Sequence, residues 1–285
     1  MIKTLADLKG SDYRTVDFYL TKSCNKSCYY CTAWTLEMRN LHVDMDFVRT
    51  ILDGLSPYKT RICLLGGEPG LVKNLREVIA EIKKHPNLVI QVLSNSLVRK
   101  FYPDILEDPE IIYIEHLVLD FYEERIEKLG NFEFFKENDK NNYNLIIKTP
   151  NYFKYREQYD LSVLDHKNTE FKEYNSRSPD FFTDHKPVQA PELNRKVCAK
   201  FPLVPVFDFE IQKIRHCSRK VINGSRQFDV TKENIDKMMN YKLFEFEKYC
   251  QRCYDIIPKR PTAQKNRIIE ILKEEELQKL QVGNQ

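Results

Sequence analysis

The chain has no run of the roughly 18 apolar residues that a helix needs to cross a bilayer, so no membrane span and no membrane partner are expected. It also lacks an apolar core near its start, where Met1-Ile2-Lys3-Thr4-Leu5 passes straight into polar residues, and no secretory signal is expected. Charge of one sign is not in excess. The 45 Lys and Arg stand against 42 Asp and Glu, a net charge of +3, which gives no electrostatic footprint for nucleic acid. Internal repeats and low-complexity runs are missing too, which excludes solenoids and biased linkers. A cytoplasmic globular protein is expected, and the 285 residues, 42% hydrophobic, are enough for one large domain and a small appendage.

Cysteine, by contrast, is plentiful, with eight in the chain. Reducing surroundings suit metal-bound thiolates better than disulfides. Cys24, Cys28 and Cys31 form a C-x3-C-x2-C pattern just after the apolar run Val16 to Leu20. A four-iron, four-sulfur cube takes four ligands, usually thiolates, so a loop offering three leaves one iron open. Zinc would want a fourth Cys or His at short spacing, and the nearest histidine, His42, lies eleven residues on. Spacing alone leaves a zinc knuckle or three unrelated thiols open as well.

A second motif, Leu64-Leu65-Gly66-Gly67-Glu68-Pro69, follows a strand-like run from Thr60. Glycines there let backbone groups approach a ligand closely, and a glutamate brings countercharge. The cysteine triad after a first strand, Tyr30 before its last cysteine, and this turn together resemble the radical S-adenosylmethionine (SAM) enzymes. The resemblance implies that Cys24, Cys28 and Cys31 hold a [4Fe–4S] cluster whose open iron chelates SAM. An electron from the cluster then cleaves SAM to a 5′-deoxyadenosyl radical. It further implies that Gly66, Gly67, Glu68 and Pro69 hold the SAM ammonium, that Tyr30 packs near adenine, and that Ser94 and Asn95 meet ribose or methionine. Lys128 stands near where relatives carry an arginine for the SAM carboxylate, and is otherwise an exposed helix lysine. One departure is visible. Val118-Leu119-Asp120-Phe121 stands where relatives often read Ser-Leu-Asp-Gly, so a hydroxyl contact is missing.

The pattern along the chain alternates strands and helices. A helix is expected over residues 44 to 55 with Asp44 as N-cap, and a second from Leu71 to Lys84. Strands are expected from Thr60, Leu88, Ile111 and Tyr143, with a helix from Tyr122 to Asn138 and a poorly patterned sixth unit between Tyr152 and His185. Such alternation gives an α/β fold with a parallel sheet. The family resemblance makes it a partial (β/α)6 TIM-like barrel over residues 1–185, with its chemistry at the carboxyl ends of the strands.

Four more cysteines form a second set. Cys198 and Cys217 flank a segment from Val204 to His216 that reads as a β-hairpin turning near Asp208 to Gln212. A mostly helical stretch from Val230 to Tyr249 leads on to the Cys250-x2-Cys253 pair. The layout resembles the twitch extension, a shortened SPASM extension, which implies an auxiliary [4Fe–4S] cluster over residues 186–260; a zinc ribbon has the same ligand set. The hairpin lacks the glycine that relatives often place at its turn. Residues 261–285 read as an amphipathic helix that docks on the barrel.

The resemblance points to an oxidoreductase that abstracts hydrogen from an unactivated carbon of a small-molecule substrate or a peptide and dehydrogenates it. Its electron donor would be of the flavodoxin or ferredoxin type. Asp120 would serve as a base or orient a backbone amide, and a closed auxiliary cube would take up an electron or act as a scaffold. Cys63 is either a small core residue or a hydrogen-atom donor in an epimerase. The same residues also leave open a maturase of ribosomal peptides and a non-catalytic, metal-stabilised binding protein. Against the maturase, the short stretch before the first strand is expected to hold no leader-binding domain.

Overall fold

The structure, a computed structural model, describes residues 12–25, 42–118, 143–149, 169–173, 204–215 and 227–240. Among the described residues, nine strands form one sheet in the order β6-β5-β4-β3-β2-β1-β7-β8-β9. β1 (Arg14–Tyr19), β2 (Thr60–Leu65), β3 (Leu88–Ser94), β4 (Ile111–Val118), β5 (Tyr143–Thr149) and β6 (Thr169–Glu173) pair in parallel, each beside the next in sequence. β7 (Val206–Asp208) joins the other edge of β1 in parallel. β8 (Lys213–Arg215) and β9 (Gln227–Asp229) continue the sheet antiparallel. The protein is therefore a mixed α/β fold dominated by parallel pairing.

Alternation of side chains sorts the sheet into two faces. On one face Val16 and Phe18, Ile62 and Leu64, and Ile90 and Val92 pack with Val48, Ile51, Leu52 and Leu55 of α1 (Met45–Leu55) and Val78, Ile79 and Ile82 of α2 (Leu75–Lys83). α5 (Lys232–Met239) adds Ile235, Met238 and Met239 to this core. On the other face of β1 to β3 stand Thr15, Asp17, Arg61, Cys63 and Gln91. There Arg61 donates to the Thr15 hydroxyl and to Gln91 Oε1, and Gln91 Nε2 donates to Cys63 Sγ at 3.1 Å.

The sequence reading and the structure agree on α1, whose N-cap Asp44 accepts from the amides of Asp46 and Phe47, and on the hairpin β7–β8. The second helix differs in its start. Pro69–Leu71 forms a separate 3-10 turn capped by Glu68, and the Asn74 carboxamide is spent on both backbone groups of Val43, so α2 begins at Leu75 rather than Leu71. Two five-residue helices, α3 (Leu97–Phe101) and α4 (Pro103–Glu107), were not expected from the pattern. β6 supplies the sixth strand that the weak pattern left unplaced. The expected helix from Tyr122 to Asn138, the boundary at residue 185 and the tail helix of 261–285 lie outside the described residues.

Candidate functional site

β1 does not end its backbone pairing at Tyr19. Leu20 N donates to Leu65 O, Gly67 N to Thr21 O at 2.6 Å, and Glu68 N to Ser23 O at 2.9 Å. The chain entering the cysteine loop is thus laid along the turn that leaves β2, with Cys24 next in line. Such contact requires glycine. Gly66 has φ +149°, and a Cβ there would meet Thr21 O at 2.3 Å.

Across the same end of the sheet lies the turn after β3. Glu68 is fully buried, and its carboxylate is taken up within the protein. Oε1 accepts from Gly70 N at 2.9 Å and from the Ser94 hydroxyl at 2.7 Å, while Oε2 accepts from Asn95 N at 2.6 Å. The side chain therefore joins the turn after β2 to the turn after β3. Asn95 Nδ2 in turn donates to Cys24 Sγ at 3.4 Å and to Asn25 Oδ1 at 2.9 Å. Asn95 Oδ1 is buried without a hydrogen-bond partner. Behind this turn, Ser96 adopts φ 94° and donates to Glu115, a buried carboxylate that also receives both Nε and Nη2 of Arg99.

On the far side of the loop entry stands the hairpin. Glu210, in the turn between β7 and β8, accepts from Lys22 N at 2.5 Å and from the Thr21 hydroxyl at 3.5 Å. Phe209 N donates to Tyr19 O. Asp208 accepts from Glu210 N and pairs with Arg215 Nε at 2.8 Å, both partners being buried.

Of the residues expected at the site, Cys24, Gly66, Gly67, Glu68, Pro69, Ser94 and Asn95 gather at the carboxyl ends of β1 to β3. Cys63 sits within β2, two residues before the end of that strand, and burial pushes its thiol pKa well above the ordinary value, reinforced by nearby Asp17. Cys28, Cys31, Tyr30, Asp120, Lys128, Cys198, Cys217, Cys250 and Cys253 lie outside the described residues. Among the described residues no group of three or more potential ligands gathers around one point. Sequence reading missed Glu115, Arg99 and Glu210. The first two form an unremarked strand-to-helix pair, and Glu210 meets the loop entry across 188 positions of sequence.

The described part of the site holds one candidate ligand for an iron–sulfur group. The thiol of Cys24 is half-buried at the strand ends, and an N–H donor is aimed at its sulfur.

No protein-family model matches the chain, and no curated protein does. Solved structures do share its architecture. SuiB of Streptococcus suis bound to S-adenosylmethionine superposes with a TM-score of 0.54 at 15% identity, over 87% of this chain and 70% of that one. SuiB bound to its precursor peptide SuiA gives 0.53 at 14% identity, over 90% and 70%. anSMEcpe with bound AdoMet and the Cp18Cys peptide gives 0.51 at 11% identity, over 84% and 85%. Among the described residues no helix is long and apolar enough to cross a membrane. This chain therefore shares its fold with structures that hold S-adenosylmethionine.

Proposed function

We propose that the protein is a radical SAM enzyme that takes hydrogen from an unactivated carbon and, in net, dehydrogenates its substrate. The observation that supports this most is a junction. Cys24, Gly67-Glu68 and Ser94-Asn95, drawn from three separate stretches of sequence, share one hydrogen-bonded network at the strand ends. Cys24, Cys28 and Cys31 hold the [4Fe–4S] cluster, which together with SAM supplies one-electron chemistry able to abstract such a hydrogen.

The chain's own residues shape that chemistry. Gly66 and Gly67 let the loop entry lie against the turn, and Pro69 opens the 3-10 turn that follows. Glu68, with its oxygens engaged by Gly70, Ser94 and Asn95, braces the SAM pocket from behind. By motif position, Tyr30 would serve the adenine of SAM and Lys128 would supply charge for its carboxylate. Asp120 accepts the proton that leaves with the second electron. Cys198, Cys217, Cys250 and Cys253 would hold an auxiliary cluster, which would supply an acceptor for that electron, and a flavodoxin- or ferredoxin-type protein would supply the first. The substrate is a small molecule or a peptide, the second class being prompted by the peptide complexes of SuiB and anSMEcpe.

The test is anaerobic reconstitution with iron, sulfide, reductant and SAM. The enzyme is expected to release 5′-deoxyadenosine, and with a deuterated substrate the label is expected in that product. Protein that takes up only zinc, or whose iron spectrum ignores added SAM, overturns the proposal.

A further inference from the structure

Asn95 was expected to touch the cofactor's ribose or methionine. Its geometry supports a further role: we infer that the Asn95 carboxamide is an N–H···S donor to Cys24 that sets the reduction potential of the cluster. This rests on the reading that Cys24 is a cluster ligand. The donor is held from two directions. Its backbone N–H is fixed by the buried Glu68 carboxylate at 2.6 Å, and its Nδ2 is shared between Asn25 Oδ1 at 2.9 Å and Cys24 Sγ at 3.4 Å. An iron-bound thiolate has lone pairs and no proton, so only the orientation with Nδ2 toward sulfur is complementary. Glu68 is itself fixed by Gly70 N and the Ser94 hydroxyl, so the backbone that carries the carboxamide is held in place.

The sign follows from charge. Reduction adds an electron to a cluster whose negative charge is spread over its sulfurs. A donor to one of those sulfurs therefore stabilises the reduced form more than the oxidised form and raises the potential. Removing it makes the cluster harder to reduce. Asn95 acts through Cys24 and is a positioning residue.

The experiment compares wild type, Asn95→Ala and Asn95→Leu, each reconstituted anaerobically and titrated without SAM, with the reduced cluster followed by electron paramagnetic resonance and iron counted separately. Leucine keeps the volume and the backbone bond to Glu68 while removing the donor. Both variants are expected to hold as much iron as wild type, with the one-electron reduction equilibrium lowered about tenfold, or about 59 mV. An unchanged potential at full iron content overturns the inference, and weaker SAM binding in such variants would make Asn95 a cofactor contact instead. Loss of iron from both variants also overturns it, because a residue that only tunes potential is not needed to retain the cube. A wild-type protein that takes up no cluster sinks the enzyme reading itself, which separates that failure from this one.

Discussion

A methyl group added at Gly67 would stand 2.2 Å from the Ser23 carbonyl oxygen and 2.6 Å from that of Lys22, backbone atoms on the path into Cys24. Neither can yield without shifting the loop, so Gly67→Ala is expected to cost about 1–3 kcal/mol and to lower iron uptake on reconstitution. Thermal melts of the purified variant and an iron count per chain check both parts. Cys63 makes a different prediction. Its thiol is raised by burial, so above the ordinary value of 9.0 the unfolded chain gives up this proton while the folded one keeps it. The unfolded state then binds fewer protons, and stability falls as pH rises. Urea unfolding should show wild type losing on the order of 1 kcal/mol by pH 10 that Cys63→Ala does not lose. If the same variant turns over normally, with no solvent-derived hydrogen at the attacked carbon, the hydrogen-donor role and the epimerase reading go with it.

The hairpin β7–β8 is short, yet it fixes the approach to the cysteine loop through two acids with separate tasks. Asp208 is fully buried and opposed by Arg215, while Glu210 projects to the amide of Lys22. Arg215→Leu leaves a buried carboxylate without its cation and is expected to destabilise the protein by about 3–5 kcal/mol, measured by denaturant unfolding. Glu210→Ala removes contacts to Lys22 and the Thr21 hydroxyl near the surface and is expected to change stability far less. A larger loss from Glu210→Ala than from Arg215→Leu would reverse this assignment. The hairpin itself was legible in the sequence, because the run from Val204 is followed past Asp208 to Gln212 by a second strand-like segment from Lys213, and so was α1, because Asp44 precedes a clean helical period. The start of α2 was not, since the carboxamide of Asn74 is claimed by Val43 from 31 positions away. α3 and α4 are too short to carry a period. At the site, the strand-end positions of Gly66 to Pro69 and of Ser94 and Asn95 were readable as motifs. Their wiring was not: a motif names residue types, while the Glu68 link between two turns and the Glu210 link to Lys22 exist only once β1, β2, β3 and β7 are side by side.

At the scale of the whole molecule, β7 pairs with β1, so the segment between Cys198 and Cys217 is hydrogen-bonded to the strand that leads into Cys24. Two clusters are proposed for the chain, one at the Cys24 loop and one at the second cysteine set. The two sites are chemically distinct. Three thiolates leave an iron for SAM, and four close the cube. Fully reconstituted protein is accordingly expected to carry about eight irons, two cubes of four, and the Cys250→Ala/Cys253→Ala double variant about four. The iron that stays in the double variant should still change its paramagnetic resonance spectrum when SAM is added, because the open corner belongs to the Cys24 loop. The double variant should also cleave SAM yet form little oxidised product, since the electron from the substrate radical has lost its acceptor. One zinc and about four irons in wild type would make the second set a zinc ribbon, as its ligand chemistry equally allows. Oxidation would then need an acceptor other than this set.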